Sequence, residues 1–267
     1  MTDTTPRGLP AIDAMFARAK AEDRAAFLPY YPIGYPDIDS SLEAIQAMAE
    51  VGVDGFEIGV PFSDPLADGP TIQAATQVAL AHGVTVRTCL EAVATLRGRG
   101  VTQPMLMMSY LNPLLAYGPE RFVQDAAQAG ADGVIIPDLP PEEAALFGNA
   151  CAEAGLAQVF FLAPTSSPER IQLVSQQATG FIYVVSVTGI TGTRDALPSD
   201  LSAFIHRVRS ATTQPLVLGF GISTPDHVRM VSRLTDGFIV GSALVRAAES
   251  GVAAVRALAA QLRGALD

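Results

Sequence analysis

Lysine is almost missing from this chain of 267 residues: Lys20 is the only one, and it lies in the leading segment, remote from every candidate strand. Schiff-base chemistry, which needs a lysine amine in the site, is therefore not expected. Tryptophan is absent, and the three histidines, His82, His206 and His227, all fall in segments with helical periodicity. No His/Cys/Asp group with metal-ligand spacing appears, so no bound metal is expected. Cys89 and Cys151 are too few for a disulfide framework and read as buried thiols in a reducing compartment. Charge is sparse, at 16% of residues, and acidic on balance, with a net charge of -10 and a pI near 4.7. That balance disfavours nucleic acid and anionic membranes as partners. No stretch reaches the roughly 18 apolar residues of a membrane span, and the opening MTDTTPRGLPAIDAMF lacks the apolar run of a signal peptide, so the reading is cytoplasmic.

What the chain has in quantity is apolar surface, 49% of residues, enough for an extensive core. It is distributed as eight short runs: FLPYY (27–31), GFEIGV (55–60), PMLMMS (104–109), GVIIPD (133–138), QVFFLA (158–163), FIYVVS (181–186), PLVLGF (215–220) and GFIVGS (237–242). Between them lie segments of helical periodicity that open with Ser, Thr or Pro and close near Gly, as helix caps require. Residues 141–155 read as one helix, the segment NPLLAYG after the third run reads as a connection, and a last helix is expected from near Ala243. An Asp-Gly pair precedes three of the runs, in VGVDGFEI, AGADGVII and LTDGFIV. Alternating strand and helix implies a parallel sheet, and eight units favour closure. The expected fold is α/β: a single (β/α)8 TIM barrel over residues 1–267, with an extra helix at about 9–22 outside the repeat.

In such barrels the chemistry sits at the carboxy-terminal ends of the strands, and phosphate is often held after strands 7 and 8. Gly219, Gly221, Gly241 and Ser242 fall there, where backbone N–H groups can approach an anion. TGITGTRD after the sixth run is a third Gly/Thr loop. Alternation along the second run sends Phe56, Ile58 and Val60 toward the helices, and Gly55, Glu57 and Gly59 into the barrel. A carboxyl buried there without a partner is raised toward neutral pH, as a general acid/base requires. The competing reading is an ion pair, but no arginine lies in any run. The following loop, PFSDPLADGPT, carries Asp64 and Asp68, either of which can reach the same cavity or simply form a turn.

FEIGVPFSDPLADGPTIQAA strongly resembles the signature of tryptophan synthase α subunits, and VIIPDLPPEE, YVVSVTGITG, GFGIS and VGSALV follow in the family's order. The resemblance implies a lyase of tryptophan biosynthesis that cleaves indole-3-glycerol phosphate to indole and glyceraldehyde 3-phosphate. By it, Glu57 matches the catalytic glutamate that protonates indole C3, and Asp68 the aspartate that stabilises positive charge at the indole N–H. Tyr183 matches the tyrosine near that glutamate. Thr191 and Gly192 match a loop that closes over substrate. Gly192, Gly221, Gly241 and Ser242 match phosphate-binding positions, and Met108, Phe161 and Phe220 apolar residues around the indole. Asp138 matches an aspartate assigned to support of the site. The resemblance also implies no cofactor on this chain and a β subunit carrying PLP, in an α2β2 assembly, facing 61–68 and NPLLAYG. The segment YYPIGYPD departs from the pattern, with Tyr30 where Phe is common. The alternatives are another phosphate-binding barrel enzyme, against which the spacing of Glu57 and Asp68 discriminates, or a non-catalytic ligand-sensing subunit, against which intact Glu57 and Asp68 argue.

Overall fold

A computed structural model describes residues 6–185, 201–219 and 221–267. The strands are β1 (Ala26–Pro32), β2 (Phe56–Gly59), β3 (Met105–Met108), β4 (Gly133–Ile135), β5 (Ala157–Leu162), β6 (Ile182–Val185), β7 (Leu216–Gly219) and β8 (Gly237–Val240). Each pairs in parallel with the next, and β8 returns to β1, so the sheet is a closed barrel in chain order. This is the expected TIM barrel.

The helices around it are α1 (Leu9–Ala21), α2 (Ile38–Glu50), α3 (Pro70–Ala81), α4 (Val86–Gly98), α5 (Leu111–Tyr117) and α6 (Pro119–Ala129). They continue with α7 (Ala145–Ala154), α8 (Pro168–Gln177), α9 (Leu201–Arg209), α10 (Pro225–Val231), α11 (Ser242–Ala247) and α12 (Val252–Arg263). Their starts follow the local chemistry: Asp37, Thr85, Ser167 and Thr224 each accept an N–H of the first turn they cap. Three segments differ from the expectation. NPLLAYG is helical, as α5, between the extended Tyr110 and Gly118, whose φ of 98° ends it. Residues 141–155 split into a 3₁₀ turn, Pro141–Glu143, and α7. The last helix breaks in two at Gly251, which takes a φ of 90° that few other residues adopt.

Side-chain alternation sorts the core into two layers. Phe56, Ile58, Met105, Met107, Val134, Ile182 and Leu218 face outward and pack with the helices. Leu28, Tyr30, Leu106, Met108, Ile135, Val159, Tyr183, Val217 and Ile239 fill the barrel. The leading helix belongs to the inner set: Ile12, Met15, Phe16 and Ala19 of α1 close the amino-terminal end of the barrel. Phe16 meets Phe181 edge-on at 5.9 Å. A side chain at Gly55 would collide with Met15 and one at Gly237 would crowd Phe16, so these glycines admit the plug.

The Asp-Gly echo has its explanation at this same end. Asp54, Asp132 and Asp236 each accept the N–H of the preceding strand's early residue, Phe27, Met105 and Leu216, at 2.9, 2.8 and 2.7 Å. Each returns its own N–H to that residue's carbonyl. Each also meets an arginine: Arg24 in two bonds of 2.6 and 2.9 Å, Arg97 at 2.5 Å and Arg209 at 2.6 Å. The motif is thus a repeated clamp that ties β1 to β2, β3 to β4 and β7 to β8. Asp132 is fully buried and also accepts the N–H of Gly8, which fixes the entry to α1.

Asp132→Ala removes the carboxylate from beside Arg97 and from two backbone N–H groups. Stability in urea unfolding should fall by about 3 kcal/mol or more; a loss below about 1 kcal/mol would contradict the clamp.

Candidate active site

Glu57 sits in the middle of β2 with register partners Tyr30 on β1 and Leu106 on β3, both inward-facing. It is 2% exposed, and its Oε1 has no hydrogen-bond partner. Among the described residues no cation acts on it: burial pushes its carboxyl up to about 8, with the neighbouring charge of Asp68 adding to the rise. No described residue therefore supports the ion-pair reading for Glu57.

Of the two aspartates in the loop after β2, Asp68 turns inward and is 8% exposed, while Asp64 stays at the surface beside Ser63. Burial raises Asp68 to about 6, and a hydrogen bond from Tyr110 opposes the rise. That bond runs from the Tyr110 hydroxyl to Asp68 Oδ2 at 3.1 Å, and the same hydroxyl accepts the N–H of Ala67 at 3.0 Å. Gln73 of α3 holds the Asp68 carbonyl at 2.8 Å. Tyr110 escaped the sequence reading because the third apolar run ends one residue earlier, at Ser109. An aromatic residue with a polar tip just past a barrel strand is the signal that could have found it. Asp138 supports this arrangement from β4's far side: it accepts the N–H of Leu111 at 2.8 Å and so anchors α5 immediately after Tyr110.

Two more tyrosines frame the carboxyls. Tyr183 of β6 is inward, buried, and stacked on Phe161 of β5 at 4.5 Å between centroids. Its ring occupies the place a side chain at Gly219 would take, and Tyr30 does the same at Gly59. These two glycines make room for tyrosines. Gly221 is different. Its φ is 84° and, among the described residues, nothing lies within 4 Å of where a side chain would begin. Gly241 and Ser242 stand half-buried where β8 passes into α11, with Gly241 against the Tyr30 ring. Met108 completes the apolar lining at the end of β3. Thr191, Gly192 and Phe220 lie outside the described residues.

The carboxy-terminal end of the barrel thus brings together a carboxyl that burial raises to about 8 and another raised to about 6, beside aromatic and apolar side chains. Such a pair can give a proton and stabilise a positive charge in the same event. Among the described residues, no group of three or more His, Cys, Asp and Glu side chains is placed to hold a metal ion, and no helix is long and apolar enough to cross a membrane.

Closed barrel and carboxyl pair together define a barrel enzyme of the acid–base kind. Comparison with known proteins is specific: the profile of the tryptophan synthase alpha chain family matches residues 16–264. The tryptophan synthase alpha chain of Roseiflexus castenholzii is 55% identical over 234 residues, 88% of this chain and 90% of that protein. That of Dehalococcoides mccartyi is 46% identical over 248 residues, 92% of this chain and 97% of that one. Among solved structures, tryptophan synthase of Mycobacterium tuberculosis superposes with a TM-score of 0.90 at 39% identity, covering 96% of this chain and 97% of that one. The alpha subunit from Legionella pneumophila gives 0.89 at 35%, covering 96% and 98%. The chain belongs to the tryptophan synthase alpha chain family.

The raised carboxyls give stability a definite pH dependence. From 4.5 to about 8 the unfolded chain releases a proton that folded Glu57 keeps, so stability falls as pH rises and levels off above about 8. Asp68 adds a loss of the same sign from 3.8 to about 6. Glu57→Gln should therefore gain on the wild type across the first window, by on the order of 2 to 5 kcal/mol. Urea unfolding of both proteins at several pH values checks this, and parallel curves would contradict it.

Proposed function

We propose that the chain carries out its family's cleavage of indole-3-glycerol phosphate to indole and glyceraldehyde 3-phosphate with Glu57 as general acid and base and Asp68 as the stabilising carboxylate. The observation that carries these assignments is the split of the two carboxyls about neutrality, about 8 for Glu57 and about 6 for Asp68. Neutral Glu57 donates its proton to indole C3, which becomes tetrahedral and leaves a positive charge on the ring nitrogen. Ionised Asp68 faces that N–H and lowers the energy of the cation. The Glu57 carboxylate then takes the proton from the glycerol hydroxyl on the carbon attached to C3. As that proton leaves, the C–O bond becomes a carbonyl, the bond between this carbon and C3 breaks, and its electron pair restores the aromatic indole. Glu57 ends protonated, as it began.

The family resemblance supplies the substrate placement. The indole lies among Met108, Phe161, Tyr183 and Phe220, and the phosphate meets the backbone of Gly192, Gly221, Gly241 and Ser242, with Thr191 closing on Asp68. The open space beside Gly221 among the described residues and the small residues where β8 enters α11 support the phosphate end of this pose. Residues 1–267 act as one unit in the cytoplasm, with no cofactor of their own. The partner is a β subunit that carries PLP and receives the indole in an α2β2 assembly. Exposed apolar side chains at the mouth support a partner on this side: Leu66, 84% exposed in the Asp68 loop, and Leu115, 50% exposed on α5.

Glu57→Gln keeps the shape of the side chain but cannot move the proton. Indole release should fall by about 10² to 10⁴ while affinity for a phosphate ligand holds; retention of more than about a tenth of wild-type kcat would sink the assignment. Gly221→Asp should raise KM by setting a carboxylate against the substrate's phosphate, at a cost of about 1 to 4 kcal/mol. An unchanged KM would move the phosphate elsewhere.

A further inference from the structure

β1 brings to the site a side chain that the acid–base reading leaves without a task. Tyr30 is the register partner of Glu57 and belongs to the inner layer. Its ring is held at both ends by backbone: a side chain at Gly241 would stand 3.2 Å from Cδ1, and one at Gly59 would strike the hydroxyl end. The phenol therefore spans from the end of β8 to the end of β2, 7% exposed, with its hydroxyl two residues beyond Glu57 toward the mouth of the barrel. That hydroxyl makes no hydrogen bond among the described residues, yet it feels the charges of Asp68, Glu57 and Tyr110. Phenylalanine would fill the same slot, so packing alone does not account for the oxygen.

Glu57 supplies the complement. Its Oε1 also lacks a partner, which a neutral carboxyl tolerates at rest. Once the proton has gone to carbon, a carboxylate forms in the same buried space, and there it needs a donor. The groups that face it are Asp68 from the loop after β2, Tyr183 from β6 and Tyr30 from β1, with Tyr110 beyond Asp68. Among the described residues none of these is a cation, and Asp68 is itself an acceptor, so the donor they offer is a tyrosine. Tyr183 is stacked on Phe161 across the barrel, whereas Tyr30 stands on the neighbouring strand at the matching register. Burial and the nearby carboxylates hold its phenol well above the ordinary value of 10, so it keeps its proton.

We propose that Tyr30 is a positioning residue whose hydroxyl donates a hydrogen bond to the Glu57 carboxylate in the half of the cycle in which Glu57 is ionised, holding it for the return of the proton. The inference rests on the acid–base reading of Glu57 given above.

Tyr30→Phe removes only the oxygen and keeps the ring between its glycines. Loss of a donor to the ionised form should raise the apparent pKa of Glu57 by about one unit, in the pH profile of kcat/KM for indole release. It should lower kcat about tenfold and leave KM within about twofold. A ¹³C titration of the Glu57 carboxyl in both proteins reads the same shift without turnover. Coincident titrations, or a loss of kcat with the pKa unmoved, would overturn the proposal. Glu57→Gln separates the two ideas. If it remains active, the acid–base reading fails and the ¹³C titration still decides the hydrogen bond; if it is inactive while Tyr30→Phe behaves as wild type, only the role of Tyr30 fails.

Discussion

Everything specific to this site depends on one unfavourable placement, a carboxyl held inside a barrel with no cation among the described residues to meet it. Desolvation keeps Glu57 neutral where a surface glutamate is ionised, and a neutral acid is what protonation of carbon requires. The barrel makes the placement possible because the alternation of β2 must send Glu57 inward if Phe56 and Ile58 are to reach the helix layer. The cost is borne by the rest of the fold, in the two apolar layers and in the plug that α1 sets into the amino-terminal end.

The two ends of the barrel treat acidic residues in opposite ways. At the amino-terminal end Asp54, Asp132 and Asp236 are each given an arginine and a backbone N–H, so their charge is compensated and serves to join strands. At the carboxy-terminal end, among the described residues, Glu57 Oε1 has no donor and Asp68 is met by the hydroxyl of Tyr110. The same residue class is structural where it is paired and reactive where it is left short of partners. That division matches the general one in these barrels, stability below and chemistry above.

Much of this was legible in the sequence because it rests on local period. Eight apolar runs became eight strands, and the parity of GFEIGV placed Glu57 inward before any coordinates. The Asp-Gly echo announced a recurring feature, but its meaning needed three dimensions, since Asp132 joins Arg97, Met105 and Gly8, which lie far apart along the chain. Helix boundaries at α5, α7 and α12 were misread where a glycine or a 3₁₀ turn interrupted a smooth hydrophobic pattern. The glycines were the hardest part. Gly59 and Gly219 look like Gly221 in sequence, yet the first two are filled by Tyr30 and Tyr183 while no described residue lies against the third. Tyr110 was missed for a related reason: its task is set by Asp68, 42 residues earlier.

The central claim is that Glu57 is neutral in the resting site at pH 7, and infrared spectroscopy tests it most directly. The difference spectrum between the wild type and Glu57→Gln should contain the carbonyl stretch of a protonated carboxyl at pH 7, fading as pH passes about 8. A spectrum at pH 7 that holds only carboxylate bands for Glu57 would contradict the account.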